Sequence, residues 1–151
     1  MLELATLSDR RAINALARQV HELHVAWRPD LFRMPEELYP AERFETCIRQ
    51  RELYVAKLNG IVVGYVLLKD KVYDSAGHMP RKVMVVDELC VEKTLRGHGI
   101  GTRMMEEVHA LARAFGCTDM QLGVYPQNDD AVGFYQKCGF TIRSIDMQRK
   151  V

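Results

Sequence analysis

The chain has 151 residues, which predicts one domain over residues 1–151 with enough apolar surface to build a core without disulfide staples. Hydrophobic residues make up 48% and charged residues 27%, and 21 Lys and Arg against 20 Asp and Glu leave a net charge of +1. That balance argues against a dedicated nucleic-acid binder. No apolar run approaches the roughly 18 residues needed to span a bilayer, and the opening MLELATLSDRR lacks the basic-then-apolar order of a secretory signal. A cytoplasmic protein that works without a membrane is therefore expected. The cysteines, Cys47, Cys90, Cys117 and Cys138, have no paired spacing, so neither a disulfide framework nor a zinc knuckle is predicted.

Leu2 to Thr6 reads as a strand, and Ser8 or Asp9 can cap a helix with Ile13, Leu16, Ala17, Val20 and Leu23 on one face. That helix ends near Trp27, because Pro29 cannot continue it. Residues 28–40 hold three prolines among Leu31, Phe32, Met34 and Leu38, an irregular segment of a length that often carries function. A second helix is expected over Ala41 to Gln50. Leu53 to Leu58 and Ile61 to Leu68, joined by Asn59-Gly60, spell an antiparallel hairpin. A polar stretch from Lys69 to Lys82 precedes a strand from Val83 to Val91. Glycines then open a helix with Ile100, Met104, Val108, Leu111, Ala112 and Phe115 on one stripe, closed by Gly116. Met120 to Tyr125 reads as a strand, Asp129 to Cys138 as a short helix, and Phe140 onward as a last strand. The predicted class is α/β: a mixed central sheet, antiparallel at its front, with a right-handed parallel crossover between residues 83 and 125 and about four flanking helices.

The most informative stretch runs from Leu89 through Arg96-Gly97-His98-Gly99-Ile100-Gly101-Thr102. Where a strand turns into a helix, free N–H groups and the helix dipole favour an anion such as pyrophosphate, and glycine keeps Cβ atoms away from its oxygens. A Walker loop would end in Gly-Lys-Ser/Thr, which is absent. A dinucleotide fingerprint would be G-x-G-x-x-G on the first strand, whereas this is G-x-G-x-G on a later one, and Asp119 lies too early on the next strand to reach a ribose.

Arg-x-x-Gly-x-Gly after a strand closely resembles the coenzyme A loop of the GNAT superfamily of N-acyltransferases. Asn128-Asp-Asp-Ala131-Val-Gly-Phe134-Tyr135-Gln-Lys-Cys-Gly139-Phe140 resembles that superfamily's N-x-x-A-x-x-F-Y-x-x-x-G-F segment. Together, in this order and separated by one helix and one strand, the two motifs imply a GNAT fold whose central parallel strands splay apart. The implied activity is transfer of an acetyl group from acetyl-CoA to a primary amine by direct attack in a ternary complex. The resemblance further implies that Arg96, Gly97, His98, Gly99, Ile100, Gly101 and Thr102 hold the pyrophosphate. The pantetheine arm would lie along Leu89, Cys90 and Val91, whose main-chain donors would meet the thioester oxygen. Asn128 and Tyr135 would complete the cofactor site, with Tyr135 as general acid to the departing thiolate.

The amine must be deprotonated, so a base or a water chain is needed. On the strand 83–91, Met84, Val86, Glu88 and Cys90 alternate against Val83, Val85, Asp87, Leu89 and Val91. Glu88 is the expected base; Asp87 meets the same description from the other face, and a wet site with no single base also fits. Cys90 has no histidine placed to activate it and reads as a small buried hydrophobe. His21 and His24 lack a third ligand, so no metal is expected. Trp27, Phe32, Met34 and Tyr39 could line an acceptor pocket beside Asp30, Glu36 and Glu37, against the simpler reading of residues that cover the sheet. Small amines and protein amines are both open as acceptors. An exposed final strand would need covering, so a homodimer is expected. A non-catalytic CoA-binding sensor of the same fold and a nucleotide-binding protein are the alternatives.

Overall fold

The computed structural model describes residues 1–151. Five strands form one sheet in the order β1 (Leu2–Leu4), β2 (Leu53–Leu58), β3 (Ile61–Tyr73), β4 (Arg81–Val91) and β5 (Asp119–Gln121). Neighbours are antiparallel as far as β4, and β4 and β5 are parallel, as the mixed-sheet reading requires. Four helices flank the sheet: α1 (Arg10–Trp27), α2 (Ala41–Arg49), α3 (Ile100–Ala114) and α4 (Asp129–Lys137). None is long and apolar enough to cross a membrane.

The helices sort by face. Ile13, Leu16 and Ala17 of α1 and Phe44 and Cys47 of α2 pack with Leu53, Val55, Tyr65 and Leu67. Met104, Met105, Val108 and Ala112 of α3 pack on the opposite face with Val66, Leu68, Met84 and Val86, joined by Phe134 and Tyr135 of α4. The result is a three-layer α/β/α sandwich with a core on each side of the sheet.

The β2–β3 hairpin forms as read, with Asn59 and Gly60 both at positive φ (50° and 77°), the geometry of a type I′ turn. Other boundaries differ. Asp9 stands at the N-cap of α1 without a side-chain cap bond to it; its Oδ2 instead accepts the Thr6 amide at 2.8 Å, closing the short 3₁₀ turn over Leu7–Asp9 that leads into the helix. β3 runs on through the polar stretch to Tyr73, because Val72 and Tyr73 pair with Lys82 and Arg81. β5 pairs only over Asp119–Gln121, so residues 122–125 carry no ladder, and nothing after Phe140 forms a strand.

The register between β3 and β4 changes the reading of the central strand. Leu67 pairs with Glu88 and Leu68 with Val86, leaving Asp87 as an extra residue in a β-bulge. Simple alternation puts Met84, Val86, Glu88 and Cys90 on one face. The bulge breaks it: Met84 and Val86 face α3, whereas Glu88 and Cys90 follow Leu67 and Tyr65 onto the face of α1 and α2.

Candidate functional site

The site is built where β4 ends and α3 begins. β4 is bonded to β5 only through Val83, Met84 and Val85, so from Val86 to Val91 the edge that faces β5 has no partner. This is the splay between the parallel strands. Leu89 is half-buried there, and Cys90 and Val91 are buried.

Beyond Val91 the chain makes a short 3₁₀ turn over Lys93–Leu95 and enters α3 through the glycine loop. The backbone N–H groups of Arg96, Gly97, His98, Gly99, Ile100, Gly101 and Thr102 have no acceptor within the chain, while Arg103 N–H already donates to Gly99 at 3.0 Å. Such a run of unpaired donors at a helix N-terminus is an anion cradle. Gly99 caps α3 at φ 81°, a left-handed conformation that strains most L residues. Gly101 also has a packing role: a Cβ there would stand 3.2 Å from the Phe134 ring, so this glycine lets α4 seat against the loop.

Two loop side chains are committed to the loop itself. Arg96 Nε donates to the Val91 carbonyl at 3.0 Å, tying the loop to the end of β4 and leaving its terminal nitrogens available. His98 Nδ1 lies 3.1 Å from both the Leu95 and Arg96 carbonyls, so it donates inward. Asn128 caps α4, its Oδ1 accepting the Ala131 amide at 3.1 Å. Tyr135, on α4, packs edge-on between Phe134 and Phe140 at ring separations of 5.1 and 5.8 Å. Burial pushes its hydroxyl up to about 12, with the neighbouring Cys138 and Cys90 thiols adding to the effect.

Glu88 lies on the α1/α2 face of the sheet, whereas Tyr135 of α4 packs with the cluster on the opposite face. Burial pushes the Glu88 carboxyl up to about 7. Its Oε2 accepts a hydrogen bond from the Tyr39 hydroxyl, and Arg43 of α2 approaches to 3.8 Å. The Arg43 guanidinium also sits 4.1 Å above the Tyr39 ring, so one cation braces both groups. Tyr39 is fully buried against Phe44 and Tyr65; it is a core residue that presents its hydroxyl to Glu88 and not a wall of an open acceptor pocket. Asp87 stays exposed, and the nearby cations of β4 pair elsewhere: Arg81 bonds Asp119 at 3.0 Å and Lys82 meets Asp70 at 3.3 Å. Sequence reasoning missed Arg43 altogether. The only local signal was its place one turn after Tyr39.

The remaining candidates separate. Cys90 Sγ donates to the Leu16 carbonyl at 3.3 Å, and burial pushes its thiol up to about 11, which disfavours a thiolate nucleophile. Phe32 packs at 5.7, 5.5 and 6.0 Å on His21, His24 and Tyr125, and Trp27 lies 6.0 Å from His24, an aromatic cluster at the C-terminal end of α1. Burial, and then His21, lowers the His24 pKa. Met34 lies apart, in a second cleft with Asn14 and Arg18. The acidic residues offered to an amine are partly engaged: the Arg28 guanidinium bonds Asp30 at 2.8 Å and holds it at about 2, and Arg10 pairs with Glu37 at 3.2 Å. A cleft of about 390 Å³ opens beside α2, lined by Pro40, Arg43, Thr46, Glu52, Leu67 and Lys69. It adjoins the Glu88 side of the sheet.

A family model described as the acetyltransferase (GNAT) family matches residues 17–140. Glucosamine 6-phosphate N-acetyltransferase 1 of rice, Oryza sativa subsp. japonica, is 31% identical over 84 residues, or 56% of this chain and 47% of that protein. The chain spans about half the length of the curated relatives it matches. Among solved structures, a tetramutant of the BH1408 protein from Bacillus halodurans superposes with a TM-score of 0.93 at 27% identity, covering 100% of this chain and 99% of that one. The aminoglycoside N-acetyltransferase AAC(6')-Iy in complex with CoA shares the fold, with a TM-score of 0.71 at 14% identity over the full length of both chains.

Proposed function

Because this chain belongs to the acetyltransferase (GNAT) family, we propose that it transfers an acetyl group from acetyl-CoA to a primary amine, the amine attacking directly in a ternary complex. The observation that carries the reading is the run of unpaired amides from Arg96 to Thr102 beside the splayed edge of β4. The similarity to the rice enzyme and to a fold neighbour solved with CoA supports the donor class.

The residues present fit such a donor. The amides of Gly97 to Thr102 and the free terminal nitrogens of Arg96 would hold the pyrophosphate, and the open edge of Leu89, Cys90 and Val91 would take the amide-bearing arm as an added strand. Asn128, by capping α4, would hold the helix that carries Tyr135. Acetyl-CoA supplies an activated thioester. Glu88, poised near neutrality, accepts the amine's proton, and a main-chain N–H of β4 faces the oxyanion. Tyr135, still protonated at pH 7, gives its proton to the sulfur. Tyr39 and Arg43 position the Glu88 carboxylate. Cys90 stays outside the chemistry as a packed thiol, so no acyl-enzyme forms.

The test is thermal unfolding with acetyl-CoA, CoA, ATP and NAD at matched concentration, followed by an amine panel read by thiol release. Acetyl-CoA and CoA should both raise the midpoint. A shift with no thiol released for any amine would support a CoA-binding sensor. The absence of any shift would overturn the donor assignment.

A further inference from the structure

We infer that the acceptor amine carries an anionic group, a carboxylate or a phosphate, which docks on the sheet where Tyr73 of β3 meets Gln121 of β5; the inference rests on the acetyl-transfer reading above. Residues paired directly across a sheet share a face. Leu67 pairs with Glu88, Lys69 with Val85, Lys71 with Val83 and Tyr73 with Arg81, while Val85 and Val83 pair on their other side with Gln121 and Asp119. All of them therefore stand on the face of Glu88, which is the face of α1 and α2. The core under those helices reaches along β3 only to Leu67, so the rest of this face is left to its own side chains.

Those side chains are rich in donors. Tyr73 reaches across β4, its hydroxyl donating to Gln121 Oε1 at 3.4 Å. That bond uses the amide oxygen and leaves Gln121 Nε2 buried with no hydrogen-bond partner, a donor for which the chain supplies no acceptor. Cations gather at the phenol: Lys71 Nζ lies 4.8 Å and the Arg81 guanidinium 4.7 Å from its ring centroid. Lys71 most, and then Arg143 from the segment after α4, draw the Tyr73 hydroxyl below its ordinary range. Arg81 is neutralised by Asp119 at 3.0 Å, and Lys69 meets Glu52 at 3.7 Å, whereas Lys71 and Arg143 have no carboxylate within ion-pair distance. An orphan amide donor beside two unpaired cations is the complement of an anion.

The spacing ties this site to the base. Glu88 lies three residues along β4 from Val85, which is abreast of Gln121. At ~3.3 Å per residue, less what the bulge takes up, the two levels are ~7–10 Å apart. An amine at Glu88 and an anion at Gln121 are then separated by about five methylenes. The ammonium and carboxylate of an α-amino acid stand too close together to reach both.

The experiment compares ligands that differ only in the anion. The amide that such an acceptor would yield, ε-acetamidocaproate, is titrated against N-hexylacetamide by calorimetry in the presence of CoA. The anion should tighten binding at least ~10-fold, and Lys71→Met and Gln121→Glu should each abolish most of that difference. The same titration with ω-acetamidohexyl phosphate tells a phosphate site from a carboxylate site by which anion binds more tightly. Equal affinity for the charged and uncharged amides would overturn the inference, and so would a preference that both variants retain. Turnover reports separately on acetyl transfer: ε-aminocaproate should be acetylated with a kcat/KM at least ~10-fold above that of hexylamine. Tighter binding of the anionic amide with no thiol released from any amine would uphold the anion site and overturn only the acetyl-transfer reading.

Discussion

Glu88 is a carboxyl held between two demands. Burial favours its protonated form and pushes it up to about 7; the Tyr39 hydroxyl and the Arg43 guanidinium are the groups placed to meet the ionised form. If it accepts the proton of the amine, the rate should rise with pH through about 7, and Glu88→Gln should remove that limb. Tyr39→Phe deletes a donor to the carboxylate, so the limb should move to higher pH while persisting; an unmoved limb would separate Tyr39 from the base. The linkage to stability has a definite sign. The folded state binds the Glu88 proton more tightly than the unfolded state does, so the stability it contributes is complete below the ordinary glutamate range and is lost as pH rises through about 7. Denaturant midpoints of Glu88→Gln should therefore fall less than those of wild type over that interval. Tyr135→Phe should lower turnover roughly 10- to 1,000-fold with acetyl-CoA affinity nearly unchanged, as loss of a general acid would. Equal turnover would remove Tyr135 from the chemistry. These residue-scale positions were unevenly legible in the sequence. Tyr135 lies within a contiguous motif, whereas the contact of Glu88 with Tyr39 joins residues far apart in the chain, and no local pattern announces it.

At the scale of elements, the glycine loop and α3 form a unit that can be tested by charge alone. Gly99 has a left-handed backbone and nothing within 4 Å of where a Cβ would stand, so Asn and Asp both fit sterically and tolerate its φ. Gly99→Asp should abolish acetyl-CoA binding by placing a negative charge in the cradle, while Gly99→Asn should bind within about tenfold of wild type. Equal affinities for the two would mean that the anion sits elsewhere. The bulge at Asp87 shows where strand reading stops. Alternation has a period of two, and one inserted residue moves every later side chain to the opposite face. Val86 and Glu88 were assigned together for that reason, and they face different helices. The bulge also distinguishes the acidic neighbours, leaving Asp87 in solvent and sending Glu88 to Tyr39.

For the whole molecule, the order of elements was legible because each helix carries its own apolar stripe and the hairpin its own turn. The ends of strands were not, because pairing decides them: β3 lengthens where β4 receives it, and β5 stops where β4 turns away. Binding to such a molecule should be visible in its global stability. Acetyl-CoA at about 100 times its dissociation constant contributes ~2.7 kcal/mol, which should raise the midpoint by about 5–10 °C in a chain of this size. A smaller shift at saturation would mean that the unfolded chain also binds, or that unfolding is not two-state.

The row of main-chain donors from Arg96 to Thr102 also bears on selectivity. A backbone amide recognises negative charge and distance, and it is indifferent to what the charge is attached to. Inorganic phosphate and sulfate should therefore compete there, and assays run in such buffers should understate affinity. On the proposed function, telling one diphosphate from another would fall to the open length of β4, which can measure an arm that ordinary nucleotides do not have.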